Sequence, residues 1–584
     1  MMAEGLRLEQ DGRREEAEAL YRQVAAAEPD NFVAWHRLGV LRNQRGDPEE
    51  SARCLDLALE LNPRSALAHY NMALALWNLH RPEEALGHLG RAIVIQPDLV
   101  EAHLNRSIVL DDLGRREEAL ASVERALALQ PDHVLSLMNR GTLLHALGRN
   151  QEALASYDRA LALQPDHAAS HSNKIFVLDF EPELSFEQHQ AERRRYWLAQ
   201  AGGIQGDRAP FANDRDPSRP LVLGYVSADF RRHSAATCFG PVLRHHDRAR
   251  FRIVCYSGVP IEDEWTRQFQ RLADLWRPIA NLTDQELAEQ IRADGVDILI
   301  DLSGHSKGNR LLAFARKPAP VQVTAWGHSG GTGLPAVDYQ FTDPVHFPEW
   351  ARPLCAEACF DLPCLITFEV PELAPAVQDS PARARGCVTF GSLNRFSKVS
   401  RSALELWARI LAQVPGSRLL LKDFVMEDPS VRPWILGIMA GQGVGPERIE
   451  LRGATSRPEH LATYGEVDIV LDTFPHNGGI TTWEALWMGA PVLTLLGGSP
   501  VSRISAAILH ALELDDWVAA GQAEYLALAV AKAADLDGLA RFRAQARARI
   551  SGSAAGDPER YTRAVEAAYR SMWRRWLAGQ DPVR

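Results

Sequence analysis

Apolar and polar positions follow two different periods along this chain, and the change of period divides it. Through the first 180 residues whole columns return every 34 positions. Ala58, Ala92, Ala126 and Ala160 occupy one column, where a small side chain lets two helices approach closely. Acidic pairs followed by alanine (Glu15-Glu16-Ala17, Glu83-Glu84-Ala85, Glu117-Glu118-Ala119) mark helix starts, where negative charge suits the positive end of the backbone dipole. Gly12, Gly46, Gly114 and Gly148 mark the turn inside each unit, with His80 as the exception. Pro29, Pro63, Pro97, Pro131 and Pro165 close the units, because proline cannot continue a helix. From Leu221 the pattern becomes short continuous apolar runs between amphipathic stretches: LVLGYV at 221, FRIVCYS at 251, VDILIDL at 296 and VQVTAW at 321, with TDQELAEQIRADG among the helices. A second series has CVTFGSL at 387, RLLLKD at 418, RIELRG at 448, VDIVLDTF at 467 and PVLTLL at 491, with helices SALELWARILAQV and TTWEALWMG.

Agreement of several columns at 34 residues identifies a tetratricopeptide-repeat superhelix, whose units bury their apolar faces only by stacking. Strand–helix alternation with continuous apolar strands signals parallel sheets covered on both faces. The predicted fold is therefore an α-helical solenoid followed by two doubly wound α/β domains facing a cleft, with ligands beyond the carboxyl ends of the strands. Expected boundaries are 1–180 for the repeats, 181–220 for a connecting helix and linker, 221–385 and 386–555 for the two Rossmann-like domains, and 556–584 for a helix packing back on them. The connecting helix is expected from about Ser185 to Ala199, and the stretch from Gly202 to Pro220, rich in Gly, Asp, Pro and Arg, reads as a linker.

One repeat column is polar without a packing reason: Asn71, Asn105, Asn139 and Asn173. A row of side-chain amides offers donor and acceptor to an extended peptide backbone whatever its sequence. The plain alternative is a solvated or turn-stabilising residue that recurs because the unit recurs. On the first reading, protein or peptide acceptors lie on the concave face of the array.

The strongest chemical signal is VDIVLDTFPHNGGITTWEALWMGAPVLTL, residues 467–495. A buried strand leads through Asn477-Gly478-Gly479 to a helix starting near Thr481. Its exposed N–H groups favour a diphosphate, Thr481 and Thr482 add hydroxyls, and Glu484 suits ribose hydroxyls. A bare capping box would look similar. Arg395 and Lys398 after the first strand of this domain, and Arg457 and His460 after another, supply cations for a phosphate pocket. The preceding domain offers His233, then His305, Ser306 and Lys307, then Trp326, Gly327 and His328, all on loops after strands. His233 has the chemistry to contact a hydroxyl acceptor.

Composition narrows the rest. A net charge of −11 without a long basic run argues against nucleic acid as partner. The charged N-terminus carries no signal-peptide core and no stretch reaches the roughly 20 apolar residues that span a bilayer, so a cytoplasmic protein without membrane partners is expected. Seven scattered cysteines fit reduced thiols. Cys355, Cys359 and Cys364 cluster, but not at a usual zinc spacing.

The repeats joined to GYVSADF, GHSKGNR, LNRFSK and TFPHNGGITTWEALW resemble the protein O-linked N-acetylglucosamine transferases, the family-41 glycosyltransferases, over nearly the whole chain. The resemblance implies a GT-B fold, a UDP-N-acetylglucosamine donor, UDP as product, inversion at the anomeric carbon, Ser/Thr hydroxyls as acceptors, and no cofactor or metal. It carries the family's histidine after the first strand onto His233, its phosphate-binding lysine onto Lys398, its nucleotide-contacting histidine onto His460, its ribose-binding carboxylate onto Glu484 and its donor-loop glycine onto Gly327. In the animal enzymes a histidine stands at the position of Gly479, a threonine at that of Ile480 and a tyrosine at that of His305. The long insert between their lobes is reduced here to a short connector near residue 380, as in a compact bacterial form. The proton acceptor is left among His233, Asp297 and a water path to the leaving phosphate. Two rival functions keep this architecture: fucosyl transfer from GDP-fucose, as in plant-type relatives, and a repeat adaptor that binds nucleotide without turnover.

Overall fold

The computed structural model describes residues 1–182, 184–204, 210–428 and 431–582. Two compact units result, Met1–Ser170 and His171–Arg584. Residues 205–209 of the expected linker lie outside the described residues.

The first unit consists of antiparallel helix pairs such as Phe32–Gln44 with Pro48–Leu61 and Ala66–Asn78 with Pro82–Ile95. Ala17, Ala58, Ala92, Ala126 and Ala160 are completely buried between helices. The turn glycines take φ between +76° and +78°, and His80 takes φ +59° in the same place, a left-handed conformation that costs a non-glycine residue energy. A column not anticipated from the sequence ties each unit to its predecessor's end. Trp35 Nε1 donates to the Pro29 carbonyl (2.9 Å), and His69 and His103 approach those of Pro63 (3.1 Å) and Pro97 (3.0 Å) through Nε2.

In the second unit the first sheet comprises β1 (Leu221–Ser227), β2 (Phe251–Ser257), β3 (Leu275–Pro278), β4 (Ile298–Asp301), β5 (Val321–Thr324), β6 (Tyr339–Thr342) and β7 (Ala358–Asp361). Their order is β3-β2-β1-β4-β5-β6-β7, all parallel. The second sheet comprises β8 (Thr389–Ser392), β9 (Arg418–Lys422), β10 (Ile449–Arg452), β11 (Ile469–Leu471), β12 (Val492–Leu495) and β13 (Val518–Ala519), in the order β10-β9-β8-β11-β12-β13, again parallel. In each sheet the order reverses beside the first strand, β1 or β8. That is the topological switch point at which doubly wound sheets bind ligands. β3, β6, β7 and β13 were not foreseen, because LWRP, YQFT and ACFD break any apolar run with polar residues or proline and β13 is only two residues long.

One hydrophobic core runs through both sheets, from Tyr225 and Phe239 through Phe368 to Trp483 and Tyr569. The expected connecting helix forms as Phe186–Tyr196 and buries His189, Gln190, Glu192 and Arg193, with Gln190 donating to the Gly330 carbonyl (2.8 Å) and Arg193 to that of Gly331 (3.2 Å). One expectation needs correcting. Asp297 is not a candidate base. It lies at the amino end of β4, on the opposite edge of the sheet from the loops that follow the strands. There it is completely buried and accepts from Arg219 (2.6 and 2.7 Å), Val222 N (2.8 Å) and Asn213 (2.8 Å). All its acceptor capacity serves the fold.

The helix Pro558–Leu577 crosses back to the first sheet. Tyr569 meets Tyr225 (3.2 Å), Glu566 accepts from Asp247 N (2.7 Å), and Arg570 donates to the Arg219 and Arg250 carbonyls (both 2.9 Å).

Candidate functional site

The segment after β11 is built around one buried carboxylate. Asp472 accepts from Gly478 N (2.8 Å) and Thr494 Oγ1 (2.7 Å), folding residues 473–478 back over the strand end. Asn477 is pinned through its amide to Val501 O (3.0 Å) and through its side chain to Thr473 O (2.9 Å). A Cβ on Gly478 would lie 2.5 Å from Thr482 Oγ1 and 2.8 Å from Thr481 Oγ1, so only glycine fits this turn. The helix Ile480–Trp487 then begins with Gly479 as its N-cap. Among the described residues the amide hydrogens of Gly479, Ile480 and Thr481 donate to no acceptor. That is the free donor set expected of a first helical turn and a preformed anion cradle.

The threonine hydroxyls are not spare, contrary to expectation. Thr481 Oγ1 donates to Asn394, and Thr482 Oγ1 pairs with Ser505 Oγ (2.8 Å). They brace the turn, which leaves the backbone amides as the available donors. Lys398 comes to the same point from the loop after β8, with Nζ donating to Asn477 O at 2.8 Å. Burial, then the neighbouring Arg395 charge, lowers its pKa to about 8 against the opposing pull of Asp472. Behind the turn, Glu484 is almost fully buried. Arg457 donates to it, and His460 Nε2 stands 3.7 Å from its second oxygen. Glu484 is thus held by a cation rather than left open.

From the first sheet His233 caps the helix Ser234–His245. Its Nδ1 lies 3.3 Å from Ala235 N and 3.4 Å from Asp229 Oδ2. As the cap, Nδ1 accepts from Ala235 N; the tautomer with a proton on Nδ1 facing Asp229 gives up that bond and leaves Nε2 to accept a proton. Burial lowers the His233 pKa; Asp229 opposes this, while Arg231 and, from the second sheet, Arg395 add to it. Cys238, one turn along the same helix, lies within electrostatic reach of Lys398. The charges of Lys398 and Arg395, on a loop of the second sheet, thus act on Cys238 and His233 of the first.

His305 and His328 were expected to offer their rings to ligand from cleft-wall loops, and the structure buries both side chains instead. His305 is completely buried with Nε2 on Thr332 O (2.8 Å), and burial holds it well below the usual histidine range. His328 Nε2 lies 2.8 Å from Asp179, which also faces His189 (3.1 Å) and Arg193 (3.4 Å). Ser306 stays half-buried on the same loop. Trp326 takes φ +55° and donates Nε1 to Tyr561 OH (3.1 Å). Gly327 packs so closely that a Cβ would lie 1.8 Å from Leu302 O, which makes it a requirement of the backbone crossing. Sequence reading missed Asp179 and the next residue, Phe180, whose ring stacks on His476 of the glycine turn (4.7 Å). It also missed Asp229, Asn394 and Ser505. Only Asp472, as the polar end of an apolar strand, gave a signal.

The asparagine column is engaged laterally. Asn71 Nδ2 contacts His36 Nε2 (2.9 Å), Asn105 donates to Tyr70 OH (2.8 Å) and Asn139 donates to Ser107 Oγ, each on the preceding unit. Asn173 belongs to the His171–Arg584 unit.

The model of the family Glycosyl transferase family 41 matches residues 207–357 and 380–565, and two tetratricopeptide-repeat models match 8–76 and 104–168. A Solanum lycopersicum protein named probable UDP-N-acetylglucosamine–peptide N-acetylglucosaminyltransferase SPINDLY is 37% identical over 398 residues, covering 67% of this chain and 43% of its own. The Caenorhabditis elegans UDP-N-acetylglucosamine–peptide N-acetylglucosaminyltransferase is 24% identical over 530 residues, covering 70% and 45%. The chain thus spans less than half the length of these curated relatives. A mutant of Thermobaculum terrenum O-GlcNAc transferase superposes with TM-score 0.82 at 33% identity, over 88% of this chain and 98% of that one. Repeats, two parallel-sheet lobes and the glycine turn agree with these matches, and the chain belongs to glycosyltransferase family 41.

Proposed function

We propose that the chain transfers N-acetylglucosamine from UDP-N-acetylglucosamine to Ser/Thr hydroxyls of proteins, with inversion and without a metal. The acceptor oxygen attacks the anomeric carbon, the bond to the β-phosphate breaks, and UDP leaves into the cradle of Gly479–Thr481 amides and Lys398. The hydroxyl proton passes to His233 or to the departing phosphate. The observation that carries this reading is the convergence of the Lys398 ammonium on Asn477 O beside three undonated amides. Fixed donors aimed at developing phosphate charge do the work a divalent ion does elsewhere. The names of the relatives support the donor and the protein acceptor.

The test is sugar transfer to acceptor proteins from UDP-N-acetylglucosamine and, separately, GDP-fucose, each with and without a chelator. Transfer from the first alone, unaffected by chelation, is expected. Transfer only from GDP-fucose, or loss of activity rescued by manganese, defeats the donor or the metal-free assignment. Donor binding without transfer or hydrolysis would leave the adaptor reading.

The Lys398 ammonium sets a pH dependence. It is charged below its pKa of about 8 and loses its proton as pH rises through that value. kcat/KM for the donor, which reports the free enzyme, is therefore expected to fall above about pH 8. A bound diphosphate raises the lysine pKa, so the fall in kcat should come at higher pH. Coincident alkaline limbs would speak against contact between lysine and diphosphate.

Protein acceptors are proposed to lie along the repeats, held by the asparagine amides. Each Asn71, Asn105 and Asn139 amide spends a hydrogen on its neighbour, while no hydrogen bond to its oxygen occurs among the described residues. The double change Asn105→Ala with Asn139→Ala should raise KM for protein acceptors and spare short peptides. Equal loss for both would assign the column to packing alone.

A further inference from the structure

Cys355 and Cys359 flank Glu357 in the sequence Cys-Ala-Glu-Ala-Cys, and all three sit where the first sheet meets the loop after β5. Both thiols are free; Cys355 Sγ donates to the Ala351 carbonyl (3.7 Å), and Cys359 packs against the apolar cluster that holds Cys355. Cys355 is buried against Phe186, Phe347 and Ala351, while Cys359, on β7, is half-buried. Gln340, the partner of Cys359 in the β6–β7 ladder, donates Nε2 to its sulfur at 3.1 Å. Among the described residues no group of three or more His, Cys, Asp or Glu that could hold a metal is assembled.

Glu357 between them is completely enclosed and carries the adjoining loop. One oxygen accepts from Thr332 N (2.6 Å), Thr332 Oγ1 and Gly333 N (3.1 Å). The Thr332 carbonyl in turn meets His305 Nε2 (2.8 Å), and Arg193 holds the Gly331 carbonyl (3.2 Å). This loop is the continuation of Trp326, Gly327 and His328. Any movement of the 355–359 backbone reaches Thr332 and Gly333 through Glu357.

We propose that Cys355 and Cys359 form an oxidisable dithiol that peroxides convert to a disulfide, changing the hold of Glu357 on the 326–333 loop. Cys359 is the attacking sulfur. Its interaction with Cys355, then the Gln340 amide and the Arg352 charge, favour the Cys359 thiolate against the opposing effect of burial, while the same interaction, then burial, keeps Cys355 protonated. The thiolate displaces hydroxide from the peroxide and becomes a sulfenic acid. Cys355 sulfur then attacks it, water leaves, and one peroxide has oxidised two thiols to one disulfide and two waters. An S–S bond of about 2.05 Å is shorter than any non-bonded contact between two sulfurs. Its closure therefore draws the two backbones together with Glu357 between them.

The effect on turnover rests on the transferase reading above; the chemistry of the pair does not. Reduced full-length chain would be treated with a small excess of hydrogen peroxide and followed in three ways. Mass mapping should show loss of two hydrogens in the peptide containing both cysteines. Hydrogen exchange should change at the Thr332 and Gly333 amides. kcat/KM for the donor should fall about five-fold or more, the lower end of site-to-site coupling, and dithiothreitol should restore it. Cys359→Ser should abolish all three changes, and Cys355→Ser gives the same check from the buried side. Sulfinic acid without a disulfide would overturn the proposal. So would a disulfide with exchange and rate unchanged, or equal rate loss in Cys359→Ser, which would point to Cys238 instead. If reduced chain transfers no sugar, the transferase reading fails, while mass and exchange still decide the dithiol.

Discussion

Lys398→Ala is expected to lower kcat by about 100- to 1,000-fold, the usual cost of deleting one fixed donor to a developing anion. Nζ is already oriented on Asn477 O at 2.8 Å beside the Gly479–Thr481 amides, so little reorganisation precedes the reaction. The lowered pKa shows that the ammonium gives up solvation to sit there, and a diphosphate would return that cost at the moment charge develops. His233→Ala should cost less, because the leaving phosphate offers the hydroxyl proton another destination. Steady-state kinetics on both variants, with UDP binding measured separately, decide the order. A larger loss from His233→Ala would make proton removal, rather than leaving-group stabilisation, the dominant contribution.

Asp297→Ala is expected to destabilise the His171–Arg584 unit by about 3–5 kcal/mol, the cost of breaking a buried pair and stranding its partner. Arg219 would lose both bonds to the carboxylate and remain over the Trp573 ring (5.2 Å), while Val222 N would lose its acceptor. Turnover per folded molecule should be close to that of the parent. Chemical denaturation together with activity corrected for the folded fraction tests both halves. A stable variant with lost turnover would return Asp297 to catalysis.

Much of this architecture was legible because its signals are long. A 34-residue period repeats often enough to reveal turn, cap and packing columns together, and β1, β2, β4 and β5 are apolar runs bounded by turns. Lys398, Asn477 and Glu484 were legible because chemistry and position coincided: polar groups just past apolar strands. Asp297 had the opposite sign in plain view, since it precedes its strand, and ligands bind beyond carboxyl ends. The network of Asp179, His189, Arg193, His305 and His328 was not legible. Its members come from distant segments, and charges on the helix Phe186–Tyr196 look like a solvated face until their partners are known. The threonine hydroxyls after Gly479 were misread for a related reason, because Asn394 and Ser505 reach them only in three dimensions.

The return of the helix Pro558–Leu577 to the first sheet sets an order of events during synthesis. Tyr225 and Tyr569 are 344 residues apart in sequence, yet they meet in one core. While the ribosome is still making the second sheet, the first exposes the surface that Tyr561, Glu566 and Tyr569 will cover. Such a nascent lobe is open to misassociation and to chaperones until the final helix emerges. Slow translation between these segments would lengthen that exposure, and shortening the helix would make it permanent.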